Sequence, residues 1–464
     1  MADDGKIVDF PEEPWKRPGF VLSDKNLAKC FDVKRGNDFR YTVAHRGWRM
    51  FDGVRWIDAG LKIEHSIADL LANEIEPVAA KKPKDRYRIG ATTTLTAVER
   101  RLRCSREMDE TAFDADPWLL NCPSGTMDLR RIDEGMKKHE RGDYITKVCA
   151  ADPFGGCPQW MEFLSFVTRE DDQLADYLQR LAGYALAGVA DEQIFAFLHG
   201  QGGNGKSVFL QTLLYVLGDY GVSCPSHVWT VQPFEQHPEQ IMRLRGARLI
   251  VSTEIPKDAV WNVERINAVT GGERIVARGM RQESVEFNFC GTLLIAGNDK
   301  PEIANVNDAT RRRIHLVPFG AKVNEDDVDK GLKDKLKAEA GGILQWMIEG
   351  CAAWQLEGLR RASVVLTATT EYFADEDHLR GWLEECCDVH PQATTREKTG
   401  DLFGSWKRWC DGSGLKAGSI NQFSARLAAS GIKRVRNDEW RGFIGIALRP
   451  PPKKNNSNGS RQED

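Results

Sequence analysis

The sequence predicts an α/β fold: a core of short parallel strands, preceded by a mainly helical N-terminal domain and followed by a C-terminal winged-helix-like domain. Three patterns predict it. Short apolar runs at 194–198, 248–251, 291–296 and 314–317 are separated by loop or helical segments, as buried parallel strands are. A glycine-rich loop, 200–207, stands between the first run and the apolar helix 208–217. Before it, Leu95, Val98 and Leu102, then Trp160, Phe163, Leu164, Leu174, Tyr177, Leu178 and Leu181, recur at helical spacing.

In chain order, residues 1–25 are polar with three prolines and are expected to be flexible. Within an N-terminal domain at 26–159, the aromatic stretch 47–56 predicts a hairpin turning at Asp52-Gly53. The charged, proline-containing 81–86 predicts an exposed connection. The core is expected at 160–345. A helical and winged-helix-like module follows at 346–449, with helical spacing around Leu379, Trp382, Leu402 and Trp406 and a hairpin at 433–446. In that hairpin Lys433, Arg434, Arg436 and Arg441 face only Asp438 and Glu439, an excess that suits DNA contact. The tail 450–464, poor in apolar residues, is expected to be disordered.

The loop Gly200-Gln-Gly-Gly-Asn-Gly205-Lys206-Ser207 has the spacing of a phosphate loop in the strand and helix context that motif requires. Gly200, Gly202, Gly203 and Gly205 free the backbone to curl, so that the N–H groups through Asn204 and on to Val208 can cradle phosphate at a helix N-terminus. Lys206 is placed to bridge β- and γ-phosphates of ATP, and Ser207 to ligate Mg²⁺. Glu254, ending the run 249–251, stands where P-loop hydrolases keep the carboxylate that orients the lytic water. Ser252 and Thr253 occupy the place of a second acid and offer hydroxyls towards hydrated Mg²⁺. Asn298, just past the run 291–296, is a sensor of the γ-phosphate, and Arg312 and Arg313 are candidate fingers for a neighbouring subunit's site.

The order of 200–207, Glu254, 270–278, Asn298 and Arg312-Arg313 with Pro318-Phe319 resembles the superfamily 3 helicases, in particular the phage and plasmid primase-helicases related to the poxvirus type. Asn121 through Leu129, His139, Asp143 through Thr146, Trp160, Trp48 and 52–56 are similar to that branch's pre-helicase domain. The resemblance implies an AAA+-like ATPase that forms a hexameric ring, hydrolyses ATP between neighbours and translocates on single-stranded or forked DNA. It implies that the segment 274–289 is a pore-lining hairpin whose Arg278 and Arg281 meet DNA phosphates. Where the family carries Lys near 267 and Asp near 273, this chain has Asn267 and Glu273, with Arg265 or Arg274 as possible substitutes. About 120 residues before Asn121 leave little room for a priming centre, so a separate primase is expected as a partner.

Bulk properties limit the alternatives. A net charge of −4 excludes a uniformly basic DNA-coating protein, and eleven cysteines without any Cys-x-x-Cys pair argue against disulfide and paired-thiolate zinc frameworks. No apolar run approaches the roughly 20 residues of a membrane span, and the first residues lack a secretory pattern, so a cytoplasmic location is expected. Two other functions share many of these features: a P-loop regulator that binds DNA without unwinding it, and an enzyme that retains priming.

Overall fold

The computed structural model describes residues 13–44, 46–232, 239–257, 259–278, 284–303, 308–323, 328–390, 394–415, 417–436 and 441–449. At the N-terminus, Ser23 caps the helix Asp24–Lys34 by accepting the Asn26 N–H at 3.3 Å. This helix, a three-stranded sheet (Phe39–Thr42, Gly47–Phe51, Trp56–Asp58) and the helix Thr92–Ser105 enclose an apolar cluster around Phe31, Trp48, Leu70 and Val98. The turn at Asp52-Gly53 forms as expected. The Asp52 carboxylate accepts the N–H groups of Val54 and Arg55, each at 2.8 Å, and Gly53 takes φ 104°.

Two expectations fail in this region. The segment up to 25 is not loose throughout, because Trp15 is 2% exposed within the cluster and Ser23 is the helix cap. The stretch 81–86 is not simply a connection: Pro83 opens the helix Pro83–Gly90, where its fixed φ suits the first turn and its missing N–H costs nothing.

Five parallel strands form the central sheet: β1 (Phe195–His199), β2 (Gly221–Ser223), β3 (Leu249–Ser252), β4 (Thr292–Gly297) and β5 (Ile314–Pro318). Their order is β5-β1-β4-β3-β2. Strand alternation divides β1 between two cores: Ala196 and Leu198 face one, Phe195 and Phe197 the other. Covering the first face are α1 (Pro158–Thr168), α2 (Asp172–Tyr184), α3 (Lys206–Leu217) and, after the short α4 (Asp308–Arg313), α5 (Ala340–Glu357). Helices α2 and α5 cross so closely that a Cβ on Gly183 would lie 2.1 Å from the Cys351 nitrogen. The second face packs on Trp229, Trp261 and the middle of α6 (Ser363–Cys386), where the Trp261 indole donates to Tyr372 Oη at 3.0 Å.

One core therefore runs from Leu120 in the small sheet Leu119–Cys122, Gly125–Asp128, Met136–Lys137 through to Val365. Helix α5 passes without a break through residue 345.

Beyond the core, α6 carries Leu379 and Trp382 into a third cluster with α7 (Thr399–Gly412) and α8 (Ile420–Ala429). Ser419 and Gln422 form a capping box at the start of α8. The strand Arg396–Lys398 pairs with Arg441–Ile444, which pairs in turn with Lys433–Arg436. The tip of that hairpin, with Asp438 and Glu439, and the tail 450–464 lie outside the described residues.

Candidate functional site

The C-terminal edge of a parallel sheet is where strand ends and following loops leave polar backbone pointing outward. Here β1 runs into 200–205 and then α3. Gly203 and Gly205 take φ 79° and 84°, a region costly for other residues. A Cβ on Gly205 would also meet Val167 Cγ1 at 2.6 Å. The loop is held on its far side: Asn204 Nδ2 donates to the Ala321 carbonyl at 2.6 Å, and the Val323 N–H to the Gly203 carbonyl at 3.0 Å.

Lys206 is buried at the first position of α3. Its Nζ donates to the Gly200 carbonyl at 2.5 Å, to Asn204 Oδ1 at 3.2 Å and to Asn298 Oδ1 at 3.2 Å. Strand register explains the last contact, because β4 pairs with β1 so that Gly297 stands opposite His199, which puts Asn298 beside Gly200. Burial holds the Lys206 ammonium below the usual lysine range. Burial, then the Lys300 and Lys206 charges, likewise lowers His199 at the end of β1. Ser207 and Gly202 are exposed, and Val208 is half-buried.

Glu254 follows β3 on the same edge with its side chain exposed. Its φ is 61°, in a left-handed region that few non-glycine residues adopt and that costs on the order of 1 kcal/mol. Such strain is kept where a side chain must be aimed. Ser252 does not serve as expected: it is fully buried, donates to the Cys224 carbonyl at 2.6 Å and accepts from the Trp229 indole at 2.7 Å. Its hydroxyl is spent inside the protein and is turned away from any hydrated Mg²⁺. Among the described residues no group of three His, Cys, Asp or Glu is arranged to hold a metal ion. The exposed Ser207 hydroxyl and the Glu254 carboxylate are the oxygen donors that suit Mg²⁺ bound mainly through phosphates and water.

Arg312 and Arg313 lie at the opposite edge, on α4 directly before β5. Since Ile314 pairs with Phe195 at the start of β1, a five-residue strand, about 16 Å, separates them from the phosphate loop. The two differ. Arg313 is half-buried, donates to the Ala309 carbonyl at 3.3 Å and Gln193 Oε1 at 3.4 Å, and is lowered by burial and then by Arg312. Arg312 is exposed.

The expected hairpin is present as Arg274–Arg278 paired with Ser284–Asn288, Arg278 opposite Ser284. Arg281 lies outside the described residues. Asn121 and His139, singled out upstream, form a buried structural joint: Asn121 Oδ1 meets Thr126 Oγ1 and His139 Nδ1, each at 2.9 Å, while its Nδ2 donates to the Val54 and Lys147 carbonyls. Sequence reasoning missed the Asn204 tether, whose only trace is an amide within the glycine run.

Residues 25–169 match a family model described as D5 N terminal like, and residues 198–313 match a second, described as a family of unknown function. The chain is 21% identical over 399 residues to a proposed helicase of Acanthamoeba polyphaga mimivirus, covering 75% of this chain and 40% of that protein. A proposed helicase of Invertebrate iridescent virus 3 is 27% identical over 368 residues, covering 70% of this chain and 38% of that protein. The chain thus spans about two fifths of the length of these relatives. The apo structure of the NrS-1 C terminal region aligns over 90% of this chain and 98% of its own, with a TM-score of 0.44 and 10% identity. The D5-like N-terminal region, joined to a region shared with helicase-named viral proteins, makes this chain a member of the phage and viral primase-helicase family.

Proposed function

We propose that this chain is an ATP-dependent DNA helicase of a phage- or plasmid-type replication system, acting as a hexameric ring on single-stranded or forked DNA. The observation that carries the reading is the contact of Lys206 Nζ with Asn298 Oδ1, with Glu254 on the same sheet edge. Three groups that are 92 residues or fewer apart from Lys206 in sequence thereby share one edge of the fold.

The hydrolysis follows from their chemistry. The loop N–H groups and the α3 N-terminus bind the β- and γ-phosphates of ATP, and Lys206 neutralises charge that grows on the γ-phosphoryl oxygens. Ser207 holds Mg²⁺, which supplies charge neutralisation when bound. Glu254 accepts a proton from the attacking water, and Asn298, released from Lys206 by the incoming phosphate, orients that water. Arg312, too far from its own loop, completes the site of a neighbour, which makes a ring the natural assembly. Arg313 braces α4 from within. Arg278 and Arg281 on the hairpin contact DNA phosphates in the pore.

The domain plan that suits this is an N-terminal unit, an AAA+-like P-loop core that borrows helices from both sides of 160–345, and a C-terminal winged helix. The last is supported by the order helix, strand, two helices and hairpin from α6 to Ile444, with the first strand paired to the last. Lys433, Arg434, Arg436 and Arg441 are exposed on its wing.

The test is ATP-dependent unwinding of a tailed duplex by the full chain. Lys206→Ala is expected to lower hydrolysis by 10²-fold or more, about 3 kcal/mol, and to abolish unwinding. Unwinding that survives loss of hydrolysis overturns the reading. A protected footprint at one sequence without unwinding supports instead a DNA-binding ATPase regulator, which the exposed basic wing favours.

A further inference from the structure

A cleft of about 830 Å³ opens at the N-terminal edge of the central sheet, the end opposite the phosphate loop. One wall is the edge itself, with Gly188 before β1, Arg248 before β3 and Cys290 before β4; the other comes from Arg49, 110–117 and 146–147 of the preceding region. At its rim stand Arg274 and Phe287, the root of the hairpin whose far end carries Arg278.

The lining is unbalanced. Arg49, Lys147, Arg245, Arg248 and Arg274 face it, against the carboxylates of Glu110 and Asp114 among the described residues. Arg49 and Arg245 share a single carboxylate, Glu110, at 2.5 and 3.6 Å. Arg49 Nε is buried with no acceptor among the described residues. The buried Arg248 guanidinium donates to two backbone carbonyls, Leu186 at 2.6 Å and Leu119 at 2.7 Å, over the face of Tyr220. Lys147 donates to the Asp219 carbonyl at 3.2 Å, and its stem crosses Gly246, where a Cβ would lie 2.9 Å from Lys147 Cε. Asp114 is occupied by Thr146, whose N–H it accepts at 2.8 Å. Cations this close repel one another in a partly desolvated cleft unless an anion joins them. Burial accordingly holds Lys147 below the usual lysine range.

We propose that this cleft is a phosphate-binding vestibule for single-stranded DNA, passing the strand along the hairpin from Arg274 to Arg278. The inference rests on the helicase reading and adds to it a DNA path outside the hairpin. A polymer suits the cleft better than a free anion, because its cations are spread along a trough that continues into the five-residue strand of the hairpin, about 16 Å long.

The experiment uses the full chain and a fluorescein-labelled oligothymidylate, with affinity read by anisotropy across a salt series. Lys147→Gln with Arg274→Gln is the variant of choice, because Arg49, Arg245 and Arg248 also hold buried groups. Expected are a roughly 10-fold weaker Kd at low salt and a slope of log K against log salt reduced by about 1.4, with ATPase activity without DNA and melting temperature unchanged. Lys147→Arg is expected to bind as the parent does. An oligonucleotide carrying 5-iododeoxyuridine, photocrosslinked to the parent chain, is expected to label peptides covering 110–117 or 242–248. Parent-like slope in the double variant, or crosslinks confined to the hairpin and wing, overturns the vestibule and leaves the helicase reading intact. Failure of the parent chain to bind any single strand overturns both.

Discussion

The two edges of the central sheet handle positive charge in opposite ways. At the C-terminal edge the Lys206 ammonium is buried among three oxygens, those of Gly200, Asn204 and Asn298, and the loop around it is tied down from the far side through Ala321 and Val323. At the N-terminal edge Arg312 is exposed, and five cations share a cleft with two carboxylates. The first edge is preorganised for a small anion that exchanges places with protein oxygens. The second is left short of negative charge, which suits partners that arrive as surfaces or polymers: a neighbouring subunit's nucleotide and a DNA strand. A motor needs both, since hydrolysis is useful only if it is coupled to something that moves.

Removing Arg312 tests that division most severely. Arg312→Ala is expected to lower ATP hydrolysis by 10³ to 10⁵, about 4 to 7 kcal/mol, while nucleotide binding persists. Phosphate release measures the first and equilibrium titration with a fluorescent ATP analogue the second. If Arg312 acts across an interface, mixing this variant with Lys206→Ala restores part of the activity, because some interfaces then carry an intact loop from one chain and an intact finger from the other. Mixtures as inactive as their parts would place both functions in one subunit. Such a result would break the contrast between the edges.

Asn298→Ala probes the preorganised edge. Its loss is expected to reduce turnover about 10²-fold, near 2.7 kcal/mol, with little change in nucleotide affinity, since Lys206 keeps its other two oxygen partners. A change confined to affinity would make Asn298 a tether of Lys206 and not a sensor.

Between the edges, His315 on β5 links them through stability. It is buried, shares a hydrogen bond with Tyr177 Oη at 2.8 Å, and burial, then Arg361, lowers its pKa to about 3. Unfolding returns it to an ordinary value near 6.5, so below that pH the unfolded chain binds a proton that the folded chain refuses. Stability from this group is complete above about pH 6.5 and is lost progressively as pH falls towards 3, by about 2 kcal/mol at pH 5. Urea midpoints at pH 7 and 5 measure it. His315→Gln should flatten that dependence, and if it does not, the acid lability lies elsewhere.

Much of the C-terminal edge was legible because its chemistry is written in contiguous words: a glycine run with Lys206, and strands that end in Glu254 and Asn298. The four long strands declared themselves by unbroken apolar runs. The fifth, Gly221–Ser223, is a short edge strand with one apolar side chain and left no pattern. The turn at Asp52-Gly53 was legible for a local reason, whereas the fate of Ser252 was not, because Trp229 and Cys224 reach it through tertiary packing. The cleft was invisible in sequence: Arg49, Lys147 and Arg248 are far apart along the chain, and each looks like an ordinary surface cation. Periodicity also could not tell which helices close a core, so α1, α2 and α5 read as neighbours of the sheet and not as its cover.

The wing extends the N-terminal edge's habit of leaving cations uncompensated, and its cost is small enough to measure directly. Arg436 stands opposite Arg441 in the antiparallel pair Lys433–Arg436 with Arg441–Ile444, both exposed. Like charges in directly opposed positions destabilise a hairpin, whereas an opposite pair stabilises it by about 0.2 to 1 kcal/mol. Arg441→Glu should therefore raise thermal stability slightly, by about 0.2 to 1 kcal/mol, while weakening binding of duplex DNA and lowering its salt slope. A fold that keeps a locally unfavourable pair is then keeping it for an anionic partner. If the substitution stabilises the chain and leaves duplex binding untouched, the wing's charges belong to solvent, and the division between satisfied and unsatisfied cations stops at the sheet.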